Sequence, residues 1–456
     1  MPLKTLFRNP AAEPIFTERE ILRMTGPFIL SFALSLLVGM LDTIMVSSVG
    51  DAAVSGVSIV DNVMQLVVFV FMAFGTGGAV VAGQYLGSGE REQADRCARQ
   101  LVWLSGSVSV LIMLLLFAAR FPILRGFFGS ITPEVLREAG IYITITVFSL
   151  PAMAIFESGM AIFRAMGDSR TTLRVSLVMN TINVAGNAAL IYGFGMGTAG
   201  VAIPTLASRW VAAILAIRFL TDENKLIHLP RSLQPLADGP LIRKILKVGV
   251  PNGVENGIFQ LGKLIVVRIV TGFGTAAIAA NAVAVILTNI ISVPGWGLNN
   301  SAMTVISRCV GKSDFDQARY YHKLLTALSY AVLTVWAGVM VLFLPWTLRL
   351  FTGISPEAAA IARAMVLWHA AGTVLFWVPA FLHPTALRAA GDVNYAMTVS
   401  IVSMWLFRVG GAWLLTRCTA LGAPGTWAAM GLDWAFRAAL YIPRWRSGKW
   451  ESKRVI

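Results

Sequence analysis

A single carboxylate inside a long apolar run is the first residue of this sequence that could do chemistry. Asp42 follows Leu36-Leu37-Val38-Gly39-Met40-Leu41 and precedes Thr43-Ile44-Met45-Val46. Charge in hydrocarbon is costly, so a carboxylate kept there is a functional candidate by default. Further along the chain, Asn180, Asn183 and Asn187 are spaced by three and four residues, which places them on one helix face. Asn183 and Asn187 reach a depth similar to that of Asp42, about five residues or roughly 8 Å beyond the middle of its run at the helical rise. A carboxylate beside amides can exchange a proton, or join amide oxygens around Na⁺, a hard cation that favours oxygen ligands. The plainer reading is an Asp held by interhelical hydrogen bonds, a packing role that such amides also serve.

Other polar residues lie in apolar surroundings. Glu255, Gln260 and Lys263 share one run and are candidate substrate or ion contacts, with Glu255 a turn or two from the run's end, where an ion pair is the competing reading. Arg164/Asp168 and Arg388/Asp392 stand at matching ends of two runs and read as a gate or structural latch. Asp433 and Arg437 are an i,i+4 pair with Arg408 as a further partner. His369 and His383 read as packed hydrogen-bonding residues, as do Phe259 and Trp377 as packed rings. The cysteines Cys97, Cys309 and Cys418 lack metal-ligand spacing and are expected to be inert.

The elements that must position these groups follow from composition. The 456 residues are 56% hydrophobic and 13% charged, with mean hydropathy +0.71. An ordinary soluble domain is about 45–50% apolar. The net charge of +14 sits between apolar runs rather than on a polar fold, so no nucleic-acid partner is expected. About 20 apolar residues are needed per bilayer crossing. Twelve such runs can be read, from 24–49 to 422–443, which predicts an all-α integral membrane protein. With the N-terminus inside, only Arg120, Arg125, Arg137, Arg349, Arg363 and Arg417 among the basic residues between runs fall outside. Both termini are therefore expected in the cytoplasm of a cell (inner) membrane protein. Pro2, Pro10, Glu13, Pro14, Glu18 and Glu20 interrupt the start, so the first run itself is expected to direct insertion.

A shift of 224 residues brings the chain onto itself. Pro27 falls on Pro251, Gly50 on Gly274, Gln93-Ala94 on Gln317-Ala318, and Arg164-Ala165-Met166-Gly167-Asp168 on Arg388-Ala389-Ala390-Gly391-Asp392. This predicts two parallel six-helix lobes, 1–220 and 247–456, joined by a cytoplasmic linker over 221–246. Parallel repeats with a shared orientation are one design of secondary transporters. No phosphate-cradling loop is present to bind a nucleotide, so the energy source is expected to be an ion gradient. The repeat also separates the halves: Asp42 falls on Val266, Asn183 on Phe407, Asn187 on Gly411, Ser31 on Glu255 and Gly39 on Lys263.

These residues resemble the multidrug and toxic compound extrusion (MATE) family over nearly the whole chain. The resemblance rests on Asp42-Thr43-Ile44-Met45, the run Phe163-Arg164-Ala165-Met166-Gly167-Asp168-Ser169, Asn183 with Asn187, and Leu387-Arg388-Ala389-Ala390-Gly391-Asp392. It implies a V-shaped pair of lobes exporting organic cations or amphipathic compounds in exchange for H⁺ or Na⁺, with a cation site that maps onto Asp42, Asn183 and Asn187. Some members carry Asp where this chain has Asn187, and another branch has acids where it has Phe259 and Trp377. No cofactor is expected beyond the coupling ion, and the partners are a small-molecule substrate and the bilayer, with the monomer as the working unit. The alternative is a flippase for lipid-linked precursors, left open by the mid-run cations Arg209, Lys263, Arg268 and Arg408. An enzyme is disfavoured because no catalytic constellation assembles at one depth.

Overall fold

Long apolar runs in this chain become helices because a backbone in hydrocarbon must satisfy its own hydrogen bonds. The computed structural model describes residues 13–128, 132–230, 238–351 and 353–456, which leaves Pro2, Pro10 and the 231–237 part of the expected linker outside the described residues. Its long helices are α1 (Glu18–Ser47), α2 (Asp51–Ser88), α3 (Arg91–Phe128), α4 (Pro133–Met166), α5 (Ser169–Gly193) and α6 (Ala199–Leu220). Then follow α7 (Gly239–Thr271), α8 (Thr275–Gly311), α9 (Phe315–Leu342), α10 (Pro356–Ala390), α11 (Val393–Cys418) and α12 (Gly425–Arg446). Among the described residues, ten of these twelve are long and apolar enough to cross a membrane, and α7 and α12 have the length but are less apolar. The protein is thus a multi-pass, all-helical membrane protein.

The chain divides into two compact units. One, the N-unit, is Leu30–Gly253, and the other, the C-unit, comprises the segment ending at Ile29 together with Val254–Ile456. The divisions fall within α1 and α7, not at the connection over 221–246. The reason is packing: Phe16, Ile21, Met24 and Phe28 are buried in the same core as Leu298, Val305 and Tyr321, so the start of α1 is part of the C-unit. Likewise Gly249 packs against the backbone of Ala73, and an added Cβ would come 2.9 Å from the Ala73 carbonyl oxygen, which ties the start of α7 to the N-unit. In the N-unit, α2 packs on α3 and α4, and α6 on α4 and α5. In the C-unit, α8 packs on α9 and α10, and α12 on α10 and α11.

The repeated Arg-Ala-x-Gly-Asp sequence is a helix stop followed by a helix start. Gly167 (φ 76°) and Gly391 (φ 96°) are left-handed, a conformation that costs glycine little. Their N–H groups donate to the carbonyls of Arg164 and Arg388, and those of Asp168 and Asp392 donate to Phe163 and Leu387, the paired bonds of a Schellman ending. Asp168 then caps α5, accepting from Thr171 N (3.1 Å) and Thr171 Oγ1 (2.7 Å), and pairs with Lys225. Burial opposes ionisation of Asp168, but the bonds from Lys225 and Thr171 outweigh it and hold the carboxyl below the usual carboxylate range. Asp392 pairs instead with Arg444 (2.7 and 3.2 Å).

Toward the end of each repeat the register changes. Gly186 faces Pro204 and Gly200 faces Leu190 and Ile191, whereas Gly411 faces Ala429 and Gly425 faces Leu415 and Thr416. These contacts superpose at an offset of 225, not 224. The additional residue is taken up where α11 winds as a π-helix over Met404–Gly410, a wider turn that often marks such insertions and functional sites. The expected counterparts of the asparagines are corrected accordingly. Asn187 corresponds to Ala412, not Gly411, and Asn183 falls in the widened turn that holds Phe407 and Arg408.

Candidate functional site

Asp42 is half-buried on α1, and Asn183 and Asn187 are buried on α5, all within the N-unit. Asn187 Nδ2 donates to Asp42 Oδ1 at 2.8 Å, and Asn187 Oδ1 is buried with no hydrogen-bond partner. Asn183 Nδ2 donates to Asp42 Oδ1 and Oδ2 at 2.9 and 3.1 Å, and its carbonyl oxygen accepts from Thr205 Oγ1 at 3.1 Å.

The Asp42 carboxylate thus receives amide hydrogen bonds from both asparagines, which are strong because the acceptor is charged. The unpaired Asn187 oxygen is a ligand of the type that hard cations prefer. A carboxylate with an amide oxygen beside it is a donor set that can hold a proton or a small cation.

Asp61, Tyr142, Arg209 and Thr205 complete the cluster and were not singled out as its members from the sequence. Asp61 on α2 accepts from Tyr142 Oη on α4 at 3.2 Å, and Arg209 on α6 donates to Ser149 Oγ at 2.7 Å. Asp61 and Arg209 both interact electrostatically with Asp42. Asp61 was legible by the rule that selected Asp42, since it too interrupts an apolar run. Tyr142 and Thr205 carry no such signal, because aromatic and hydroxyl residues are common in membrane helices.

The remaining candidates are dispersed. Asn180 is buried with its amide nitrogen unpaired, and no bond joins it to Asp42. Glu255 is buried and pairs with Arg388 Nη2 at 2.5 Å in the C-unit. Arg388 is paired with Glu255 and Asp392 with Arg444, while Arg164 interacts with Glu157 and Asp168 with Lys225. Gln260 is half-buried beside Phe259, and Lys263 lies 5.2 Å from the Phe259 ring centre. Asp433 pairs with Arg437 (2.8 Å) and Arg408 (3.6 Å).

The chain is a member of the MatE family, whose model matches it twice, over residues 27–189 and 251–414. Among relatives, the uncharacterized transporter YisQ of Bacillus subtilis (strain 168) is 27% identical and covers 98% of each chain. The probable multidrug resistance protein NorM of Thermotoga maritima is 26% identical over 99% of this chain and 97% of its own. Among solved structures, MATE in complex with MaL6 superposes with a TM-score of 0.88 at 18% identity, covering 98% of this chain and 97% of its own. A multidrug resistance MATE family transporter in an outward-facing conformation gives 0.86 at 18% identity over 94% and 95%.

Proposed function

We propose that the chain is a secondary active antiporter that exports small cationic or amphipathic organic compounds, multidrug efflux, in exchange for H⁺ or Na⁺ by alternating access. The observation that carries this reading is the cluster of Asp42 with Asn183 and Asn187, a carboxylate within apolar helices held by two buried amides. In this reading Asp42 holds the coupling ion, and Asn187 and Asn183 fix the carboxylate. The name of the Thermotoga relative supports a drug substrate. The distribution of Lys and Arg between helices supports a cell-membrane protein with both termini in the cytoplasm. Because the cluster lies within one chain, a monomer is sufficient for it.

The test is gradient-driven efflux of a cationic dye from cells or vesicles carrying the wild type or Asp42→Asn. The substitution keeps the shape and removes the charge. It is expected to abolish coupled efflux while the protein still inserts and elutes as a single species. Undiminished efflux by this variant would overturn the assignment.

A further inference from the structure

The C-unit holds a cluster of the opposite sign. Around the half-buried ring of Phe259 on α7 lie Lys263 Nζ, Arg437 Cζ and Arg408 Cζ, at 5.2, 5.3 and 5.5 Å from the ring centre. Asp433 bonds Arg437 at 2.8 Å and stands 3.6 Å from Arg408, and Arg388 is paired with Glu255. Four cations thus meet two carboxylates. Among the described residues Lys263 makes no ion pair, and the Nε of Arg408 is buried with no hydrogen-bond partner. The N-unit cluster, by contrast, has two carboxylates, Asp42 and Asp61, and one cation, Arg209.

An excess of cations at membrane depth is costly and calls for an anion. A phenyl ring attracts cations to its face and also offers apolar surface. Arg408 stands in the π-helical turn of α11, so the one-residue insertion that distinguishes this repeat places a guanidinium where the other repeat has an amide.

We propose that Lys263 and Arg408, with Phe259, form a binding site for the acidic group of an amphipathic molecule, a carboxylate, sulfonate or phosphate attached to an apolar body. Arg437 is a positioning residue, because its guanidinium is already engaged by Asp433 and, at 3.4 Å, by the Ser400 carbonyl. The proposal rests on the reading of the chain as an exporter and extends its substrates to amphipathic acids and zwitterions. The same chemistry is present in an organic anion and in the headgroup of an acidic lipid.

The experiment is equilibrium binding of a fluorescent aromatic sulfonate to the full-length protein in nanodiscs of neutral lipid. Lys263→Met and Lys263→Arg are compared with the wild type at two ionic strengths. The loss of one charge-assisted contact is expected to weaken binding about tenfold or more in Lys263→Met. Lys263→Arg should retain most of it, and salt should weaken binding to the wild type more than to Lys263→Met. Equal binding by wild type and Lys263→Met, or the absence of saturable binding to the wild type, would overturn the site. Nanodiscs with phosphatidylglycerol then identify the source: competition by the lipid points to a headgroup, and its absence to a soluble anion, and either sustains the site. Binding is read with no gradient imposed, so failure here leaves the coupling role of Asp42 standing, and failure of coupled efflux leaves this site standing.

Discussion

Asp42 was legible from the sequence because the cost of charge in hydrocarbon is a property of the residue and its surroundings in the chain. The bond to Asn187 follows from two periodicities meeting at one depth, and it appears in the structure at 2.8 Å. Asp61 obeyed the same rule as Asp42, whereas Thr205 and Tyr142 became visible only when α6 and α4 were placed against their neighbours. Lys263 and Arg408 were visible as isolated cations, but their convergence on Phe259 depends on a π-helical turn that no spacing announces. Asn187 gives the prediction at this scale. Removing a hydrogen bond to a charged acceptor costs about 1.5–3 kcal/mol. Asn187→Ala should therefore change the half-saturating concentration of the coupling ion about tenfold or more, with a smaller effect on the substrate. Unchanged ion dependence in a flux assay would show that Asn187 does not fix the carboxylate.

At the scale of elements, the duplicated Gly-Asp ends explain why the repeat was strong enough to read. Left-handed glycines and the acids beyond them are dictated by local backbone geometry, and so persist in both copies. A single offset of 224 falls one residue short in the last third of the repeat, because a π-helical insertion leaves no gap in an apolar run. Gly167→Ala should destabilise the protein by about 1 kcal/mol through its positive φ. Gly391→Ala should cost more than a positive φ alone, since its Cβ would also run into the Lys453 carbonyl oxygen. Thermal unfolding in detergent measures both losses, and an unchanged midpoint in Gly391→Ala would refute the clash.

The Asp168–Lys225 contact makes a pH prediction at the same scale. The carboxyl is held below its ordinary value of 3.8 in the folded state, so its contribution is complete above that value and is lost as pH falls through the folded value. The difference in unfolding midpoint between wild type and Asp168→Asn should be flat from pH 7 to about 4 and narrow below it. A difference that closes near pH 6 would assign the effect to another group.

For the whole molecule, composition and hydropathy alone were sufficient for a multi-pass helical protein, because bilayer thickness fixes helix length. The boundaries of the compact units were not legible. α1 and α7 are each continuous helices, and their division at Ile29 and Gly253 is set by which core buries each end. The resulting picture is one fold used twice with opposite charge: carboxylates and amides in the N-unit, cations around a ring in the C-unit. The proposed export runs on an ion gradient exchanged at Asp42. Its most direct test is uptake of a cationic dye against its own concentration gradient into proteoliposomes with a H⁺ or a Na⁺ gradient imposed separately. Uphill movement is expected with at least one of the two gradients, with collapse of that movement by the matching ionophore, and none with Asp42→Asn. Uphill movement that survives dissipation of both gradients, or that Asp42→Asn sustains in full, would contradict it.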